Sequence, residues 1–415
     1  MTTLDQDFAV PHVRVRMLAA PGPDLAAHLG AHGPLPSLHA EEVLGAAERE
    51  HLRGRGGAGF PTATKLRAVA SNSTLGRPLV IGNGSEGEPA SLKDRALLRS
   101  APHLVIDGAQ AAAVAVGARE IVLYLHAAAV DGVRRALAER ERAGRTAGAA
   151  PASVRVVAAA PGFVAGQETA VVAALAGDRA VPRGGTERVV RRGLDGRPTL
   201  VQNVETLAQL ALLVRAAHTT DPSRRVAGTR LTTVYAPSGR GVVHEVDPET
   251  RLERLLEQVG WPPGTAGPVL VGGYHGRWLP SAAGVTLATE DLARQGARPG
   301  AGVIIPIGAQ CGLGLTASIV RYLAEQSAGQ CGPCRFGLPH LADLTERLAR
   351  PTAAGSAGLD LVGAIAQAAG IVTGRGACRH PDGTAGLVSS TLSTFAADVE
   401  AHRHGHCLVA RREVA

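Results

Sequence analysis

Three short stretches carry residues whose types and spacing can do chemistry. The first is Ser327 to Arg335, SAGQCGPCR, in which Cys331 and Cys334 form a C-x-x-C pair. Such a pair serves a redox disulfide, half of a zinc site, or part of an iron–sulfur binding run. The second is RGRGGAGFPTATK, residues 53–65. Its crowded glycines leave backbone N–H groups unshielded, so that a phosphate can rest on them and on the start of the following helix. Lys65, about one turn into that helix, is within reach of a phosphate oxygen. The third is NGSEGEPASLKDR, residues 83–95, where Asn83, Glu86 and Glu88 can bind the edge of a heterocycle.

These stretches need elements to hold them. Ser37 is expected to cap a helix that runs to about Leu52, with Glu41 and Glu42 near its positive end. The glycine loop therefore joins two helices. A dinucleotide fingerprint needs a strand before its glycines, so that reading fails, and no G-x-x-x-x-G-K-[ST] run is present. Strands are expected at 79–83, 120–125 and 153–159, alternating with helices at 104–117, 127–143, 167–176 and 204–217. That alternation points to an α/β domain with a mainly parallel sheet, over residues 37–220 and after an irregular segment at 1–36. Residues 221–227 read as a linker. Short strands at 231–235, 241–246 and 268–271 around a helix at 250–259 suggest a small β-grasp module over 228–300. Residues 301–415 read as helical, with helices at 319–326, 337–348 and 359–371, and the cysteine pair falls between the first two.

Composition narrows the function classes. Aromatic residues make up only 3% of the 415-residue chain, too few for a base-stacking surface, so nucleic-acid binding is not expected despite the net charge of +7. Five cysteines in a chain of this length do not make a disulfide framework. The N-terminus has no basic and apolar leader pattern, and the run Leu104 to Val116 is too short to span a bilayer. A cytoplasmic protein without an integral membrane segment is the expectation. Arginines crowd Arg179 to Arg192, where they suit an anion or an acidic partner surface.

Taken in order, RGRGGAGFPT.TK, N.SEGEPAS.KDR, GFVAGQETAV, GRPTLVQNVETLA and CGPCR resemble the flavin- and NADH-binding subunit of respiratory complex I, the F-subunit family of NADH dehydrogenase. The likeness covers roughly residues 50–400 and extends to related hydrogenase and formate dehydrogenase subunits. It implies an FMN-binding α/β domain, a ubiquitin-like β-grasp (SLBB-type) module and a C-terminal helical iron–sulfur domain. It further implies that Gly54, Arg55, Gly56, Gly57 and Lys65 cradle the FMN phosphate. Asn83, Glu86, Gly166, Gln167, Glu168, Gln202 and Asn203 would surround the rest of the flavin, Phe60 would stack on a ring, and Glu88 and Glu168 would face the nicotinamide of NAD(P)H. A flavin suits this task because it accepts a hydride and releases electrons singly.

The chain departs from that pattern in several places. Ser85 stands where the family has an acid, Phe163 where it has a Tyr, and Gln167 where it has a Glu. The loop before GRPT lacks the family's adenine-stacking aromatic and reads Gly185-Thr-Glu-Arg188, and Ala68 lies near a second expected aromatic. Arg183, Arg188, Arg191 and Arg192 suit a 2′-phosphate, an acidic ferredoxin or plain solvation. In the cysteine run, Cys331, Cys334 and the distant Cys378 match family ligands, but Ala328 occupies the position of the first cysteine. Four readings follow: a [4Fe–4S] cluster with a non-cysteine fourth ligand, a [3Fe–4S] cluster, a lost cluster, or zinc on the three cysteines with His340 or His380. Cys311 and Cys407 match no family ligand and read as structural residues. A stray metal binder is the alternative for Cys407, within HRHGHC, whose histidines read as a solvated tail. The expected activity is FMN-dependent electron transfer from NAD(P)H through an iron–sulfur cluster to ferredoxin or another redox protein subunit. The alternative is an electron-relay or assembly subunit that does not bind NADH.

Overall fold

The structure is a computed structural model that describes residues 16–144, 152–185, 187–219, 228–264, 267–351 and 360–409. Four strands, β1 (Leu79–Gly84), β2 (Glu120–Leu125), β3 (Ser153–Ala158) and β4 (Thr199–Asn203), form a sheet in the order β3-β2-β1-β4. Every pairing in it is parallel, with Ile81 opposite both Val122 and Val201. Leu79-Val-Ile and Ile121-Val-Leu-Tyr-Leu are continuous apolar runs because both faces of the sheet are covered. Val80, Ile121, Leu123 and Leu125 face the large helical core, which includes helices Ala40–Arg49, Pro102–Val116 and Val204–Ala217. Leu79, Ile81, Val122 and Tyr124 face the opposite layer, packed by Val171 and Val172 of helix Glu168–Leu175. Two of the long helices touch closely at Gly108, where an added Cβ would lie 1.8 Å from the carbonyl oxygen of Leu207.

Strand β4 is absent from the sequence expectation and decides the topology. The chain winds outward through β1, β2 and β3, then returns to pair on the other side of β1. The carboxyl ends of β1 and β4 therefore flank the switch point of the sheet, the place where open α/β sheets leave a crevice for ligand. Asn83, next to the end of β1, and Asn203, the last residue of β4, lie opposite each other.

A second, mixed sheet contains β5 (Arg230–Tyr235), β6 (Gly241–Val246), β7 (Val269–Val271), β8 (Arg277–Leu279) and β9 (Val303–Pro306), in the order β6-β5-β9-β7-β8. Helix Leu252–Gln258 packs its leucines into this sheet. β9 is the central strand and lies beyond the expected boundary at residue 300. It pairs in parallel with β5 across a long sequence separation, which local patterning does not reveal. The region after it is helical, comprising Gly312–Glu325, Leu338–Ala349, Leu361–Val372, His380–Thr394 and Ala396–Arg403. Trp278 of β8 enters this helical core and donates its indole N–H to Thr316 Oγ1 at 3.0 Å.

Two N-terminal expectations need correction. Helix Leu25–His32 lies within the segment expected to be irregular, with Asp24 capping it by accepting from the Ala27 N–H. The next helix begins at Ala40 rather than beside Ser37, because Glu42 reaches back to accept the His39 N–H at 2.9 Å. The expected linker at 221–227 lies outside the described residues.

Candidate functional site

A cavity of about 640 Å³ opens at the switch point. That volume is within the usual range for a small-molecule or cofactor site. The glycine loop supplies one wall with Gly54, Gly56, Ala58, Gly59 and Phe60, and the next helix contributes Lys65. Asn83 and Val201 to Asn203 form the strand-end floor, and Gly166, Gln167 and Glu168 close a second side. The remaining wall comes from far along the chain: Gly374 and Gly376 to Arg379, including Cys378, with Asp382.

The loop is shaped by its own backbone. Gly54 donates its N–H to the Phe60 carbonyl at 2.9 Å, and Arg55 donates its N–H to Thr206 Oγ1 at 2.8 Å. Gly57 and Gly59 have φ of 101° and 63°, conformations that favour glycine. Among the described residues no acceptor lies opposite the N–H groups of Gly56, Gly57, Ala58 and Gly59. Lys65 Nζ lies 2.6 Å from the Val201 carbonyl and 3.2 Å from Glu168 Oε1. Free amides and an ammonium group at one end of a cavity suit a phosphate.

The floor is cross-tied. The Asn83 amide donates to the Gly166 carbonyl at 2.8 Å, while its oxygen accepts from Ser85. The Asn203 amide donates to Asp94 Oδ2 at 2.7 Å, and its oxygen caps helix Val204–Ala217 through the Glu205 N–H. Beneath it Lys93 Nζ bridges Asp94 at 2.6 Å and Glu205 at 2.8 Å, with all three side chains nearly inaccessible. Burial pushes the Asp94 carboxyl up to about 6 against the pull of Lys93. Gln167 caps helix Glu168–Leu175 by accepting from the N–H groups of Thr169 and Ala170.

Ten of the residues expected around the flavin and donor thus meet around one space, together with Cys378: Gly54, Gly56, Phe60, Lys65, Asn83, Gly166, Gln167, Glu168, Gln202 and Asn203. Arg55, Gly57, Glu86 and Glu88 do not line it. The Arg55 guanidinium turns away to the carbonyls of Gly228 and Thr229. The Glu86 carboxylate accepts from Ser91 Oγ, the N–H groups of Asp94 and Arg95, and Arg95 Nε. These bonds hold its unusual φ of 47°. Glu88 reaches the second sheet region, accepting from the Tyr274 N–H at 2.9 Å and the Ala90 N–H at 3.3 Å. Desolvation raises its pKa to about 7 against these two hydrogen bonds.

The sulfur region adjoins the cavity. Cys334 sits in a widened helical turn, Pro333–Gly337, of the kind found at functional sites. Desolvation raises the pKa of the Cys378 thiol and pushes that of Cys334 up to about 11. The pKa of the Cys331 thiol is lowered, because hydrogen bonds from the Ala377 and Cys334 backbone outweigh its desolvation. Among the described residues, Cys331, Cys334 and Cys378 with either histidine form no group at the spacing of a single metal ion. Both ring nitrogens of His380 are also engaged, with His275 Nε2 at 3.0 Å and the Leu323 carbonyl at 2.8 Å. The zinc reading for these cysteines is therefore not supported. Phe163 packs edge-on against His275 at 4.7 Å and joins the mixed-sheet turn to the helical region.

Two family models match the two halves of this site. The Nuo51 FMN-binding domain matches residues 47–212, and the NADH-ubiquinone oxidoreductase-F iron-sulfur binding region matches residues 314–402. The NADH-quinone oxidoreductase F 2 subunit of Rhizobium meliloti is 30% identical over 380 residues, covering 87% of this chain and 89% of that protein. The chain belongs to the F-subunit family of NADH-quinone oxidoreductase. The alpha subunit of the NAD-reducing hydrogenase HoxS of Cupriavidus necator is 33% identical over 318 residues, of which this chain covers 51% of the length. A crystal structure of an NAD+-reducing [NiFe]-hydrogenase in the H2-reduced state aligns with a TM-score of 0.78 and 29% identity, over 96% of this chain and 69% of that one. The free amides, Lys65 and the strand-end amides fit an FMN, and Cys331, Cys334 and Cys378 fit an iron–sulfur cluster with one thiolate fewer than four. No described helix is long and apolar enough to cross a membrane.

Two features escaped the sequence reading. Gly374, Gly376, Ala377, Arg379 and Asp382 enter the cavity wall beside Cys378, although only Cys378 and His380 of that loop were expected site residues. The Lys93–Asp94–Glu205 cluster was hidden because Glu205 lies far in sequence from the adjacent Lys93 and Asp94.

Proposed function

We propose that the chain is the flavin- and nucleotide-handling subunit of a multi-subunit redox assembly. It takes electrons from NADH or NADPH at an FMN in the switch-point cavity and passes them through an iron–sulfur cluster on Cys331, Cys334 and Cys378. A partner redox protein such as a ferredoxin receives them. The observation that carries this reading is that Cys378 lines the same cavity as Lys65 and the glycine loop. FMN, when bound, supplies two-electron acceptance from a hydride and one-electron release.

The chain's own residues bind, orient and shield. Lys65 and the loop amides hold the phosphate, and Asn83, Gln202 and Asn203 present amide edges along the floor. Glu168, at the start of its helix and beside Lys65, orients the donor. Phe60, 51% exposed, covers the mouth. Glu88 acts as a positioning residue that ties the loop after β1 to the turn at Tyr274. In this reading residues 37–220 form the FMN unit. The mixed sheet is an SLBB-like β-grasp module that runs from 228 past 300 through β9, and the helical remainder carries the cluster.

Anaerobically purified protein should bleach its flavin on addition of NADH or NADPH, with bound iron and sulfide and an iron–sulfur EPR signal. A flavin that neither nucleotide bleaches refutes the nucleotide reading, and protein left colourless after reconstitution with flavin and iron refutes the redox reading. One observation favours the relay alternative. Phe60 is the sole aromatic among the cavity-lining residues, and Arg183, Arg188, Arg191 and Arg192 are exposed where the family stacks adenine. Arg183 is paired with Asp178. Bound FMN with no nucleotide response would select that alternative.

A further inference from the structure

Away from the cavity, Cys311, His402 and Cys407 bring two sulfurs and an imidazole nitrogen within 4.8 Å of one another. Among the described residues this is the one group of three or more His, Cys, Asp or Glu ligand atoms at such spacing. Neither cysteine belongs to the set assigned to the cluster.

The local folding that makes the group is specific. Cys311 immediately precedes helix Gly312–Glu325, with no cap hydrogen bond to its side chain, so its sulfur is left to face His402. His402 lies in the last turn of helix Ala396–Arg403. That helix ends in a Schellman turn, in which Gly405 has φ of 80°, its N–H bonds the His402 carbonyl, and the His406 N–H bonds the Ala401 carbonyl, both at 3.1 Å. The reversal carries Cys407 back beside His402 and Cys311. A solvated histidine tail, the expectation from HRHGHC, holds for exposed His404 but not for His402, which is 2% exposed.

The His402 ring has a defined task. Its Nδ1 lies 3.2 Å from the Leu348 carbonyl, which can only accept, so Nδ1 carries the proton. Nε2 is then a lone pair, and it faces Cys311 Sγ at 3.6 Å. A thiol is a weak donor, so a buried imidazole acceptor is poorly served by it. A backbone carbonyl behind one ring nitrogen and an open lone pair on the other is the usual arrangement of a metal-bound histidine. Tetrahedral zinc, with Zn–S of about 2.3 Å and Zn–N of about 2.0–2.1 Å, separates S and N ligands by about 3.5–3.6 Å.

We propose that Cys311, His402 and Cys407 bind a divalent ion of the zinc class, with water in the fourth position. Binding releases the two thiol protons and fastens the C-terminal helix to the start of helix Gly312–Glu325. This site is independent of the flavin and cluster assignments.

The test uses full-length protein reduced with a phosphine and freed of metal, in a Cys331→Ser/Cys378→Ser background that removes the cluster ligands. Cobalt(II) should bind at one equivalent with the visible bands of a tetrahedral thiolate site, and zinc should displace it. Cys407→Ser, a partly exposed position, should lower cobalt affinity at least tenfold while circular dichroism stays unchanged, and Cys311→Ser should do the same. Zinc at a hundredfold excess over its dissociation constant should lower the unfolding constant about a hundredfold in the background protein and not in Cys407→Ser. Failure of the reduced protein to bind cobalt overturns the proposal. So does equal binding by the Cys407→Ser protein, or a Cys311–Cys407 disulfide in protein that has no metal affinity once reduced.

Discussion

Lys65→Met is the most direct probe of the cavity. In the free chain the Lys65 ammonium group lies 2.6 Å from the Val201 carbonyl and 3.2 Å from a Glu168 oxygen, with its side chain 17% exposed. Its loss removes one charge-assisted hydrogen bond to a bound phosphate, worth about 1.5–3 kcal/mol. That corresponds to a dissociation constant for FMN raised about 10- to 150-fold. The fold should survive, because the Glu168 carboxylate is 34% exposed and a pair of this kind contributes at most about 1 kcal/mol. Quenching of flavin fluorescence on titration into apoprotein measures the change. Riboflavin has the same ring and ribityl chain without the phosphate, so its affinity should be nearly unaffected by the substitution. The salt dependence of FMN binding should also become shallower. Equal weakening of FMN and riboflavin, or no weakening of FMN, would refute the assignment of Lys65 to the phosphate.

Three further outcomes can be checked. Glu88 has its pKa raised to about 7 from 4.5, so its contribution to stability is fully present below pH 4.5 and lost as pH rises through 7. The stability of Glu88→Gln relative to the parent should therefore climb between these values, by at most about 1.4 kcal/mol per pH unit, and level off above 7 in urea titrations. A flat difference would show that Glu88 is not desolvated. Ala328→Cys supplies a fourth thiolate, so if the parent holds a [3Fe–4S] cluster, iron per chain should rise from three toward four and its oxidised EPR signal should fade. Identical iron and spectra in both proteins would mean that residue 328 is not the open ligand position. Gly108→Ala places a Cβ 1.8 Å from the Leu207 carbonyl oxygen, a backbone atom that cannot step aside. Overpacking of that severity should cost about 3 kcal/mol or more, and an unchanged denaturation midpoint would contradict the close helix contact.

Much of the α/β unit was legible because its elements follow local rules. β2 (Glu120–Leu125) and helix Val204–Ala217 fall where apolar runs and helical periodicity put them. Strand Thr199–Asn203 was not legible, since TLVQN is short, half polar and directly continuous with the following helix. Its strand character comes from pairing with β1, a contact made across more than a hundred residues. β9 escaped for the same reason, as did the mutual placement of Cys378 and Lys65. Arg55 and Glu86 sit in the right stretches, but their side chains are claimed by the Gly228–Thr229 carbonyls and by the helix start at Asp94. A motif shows which residues share a loop and cannot show which way each side chain turns.

The sequence by itself determined the residue chemistry: a glycine loop followed by a lysine, amide-bearing strand ends, three cysteines in a cluster pattern, and Ala328 where a fourth would stand. The glycine loop, the strand ends and the C-x-x-C pair are properties of residue type and short spacing, whereas Cys378 and the open position at Ala328 follow from the family resemblance. The tertiary structure alone decided that β4 returns beside β1 to open the switch-point crevice, and that Cys378 forms part of its wall. It alone decided that Cys311 and Cys407 meet across His402. Long-range strand pairing and helix packing bring such residues together, because their energies depend on surfaces buried jointly by segments far apart in the chain.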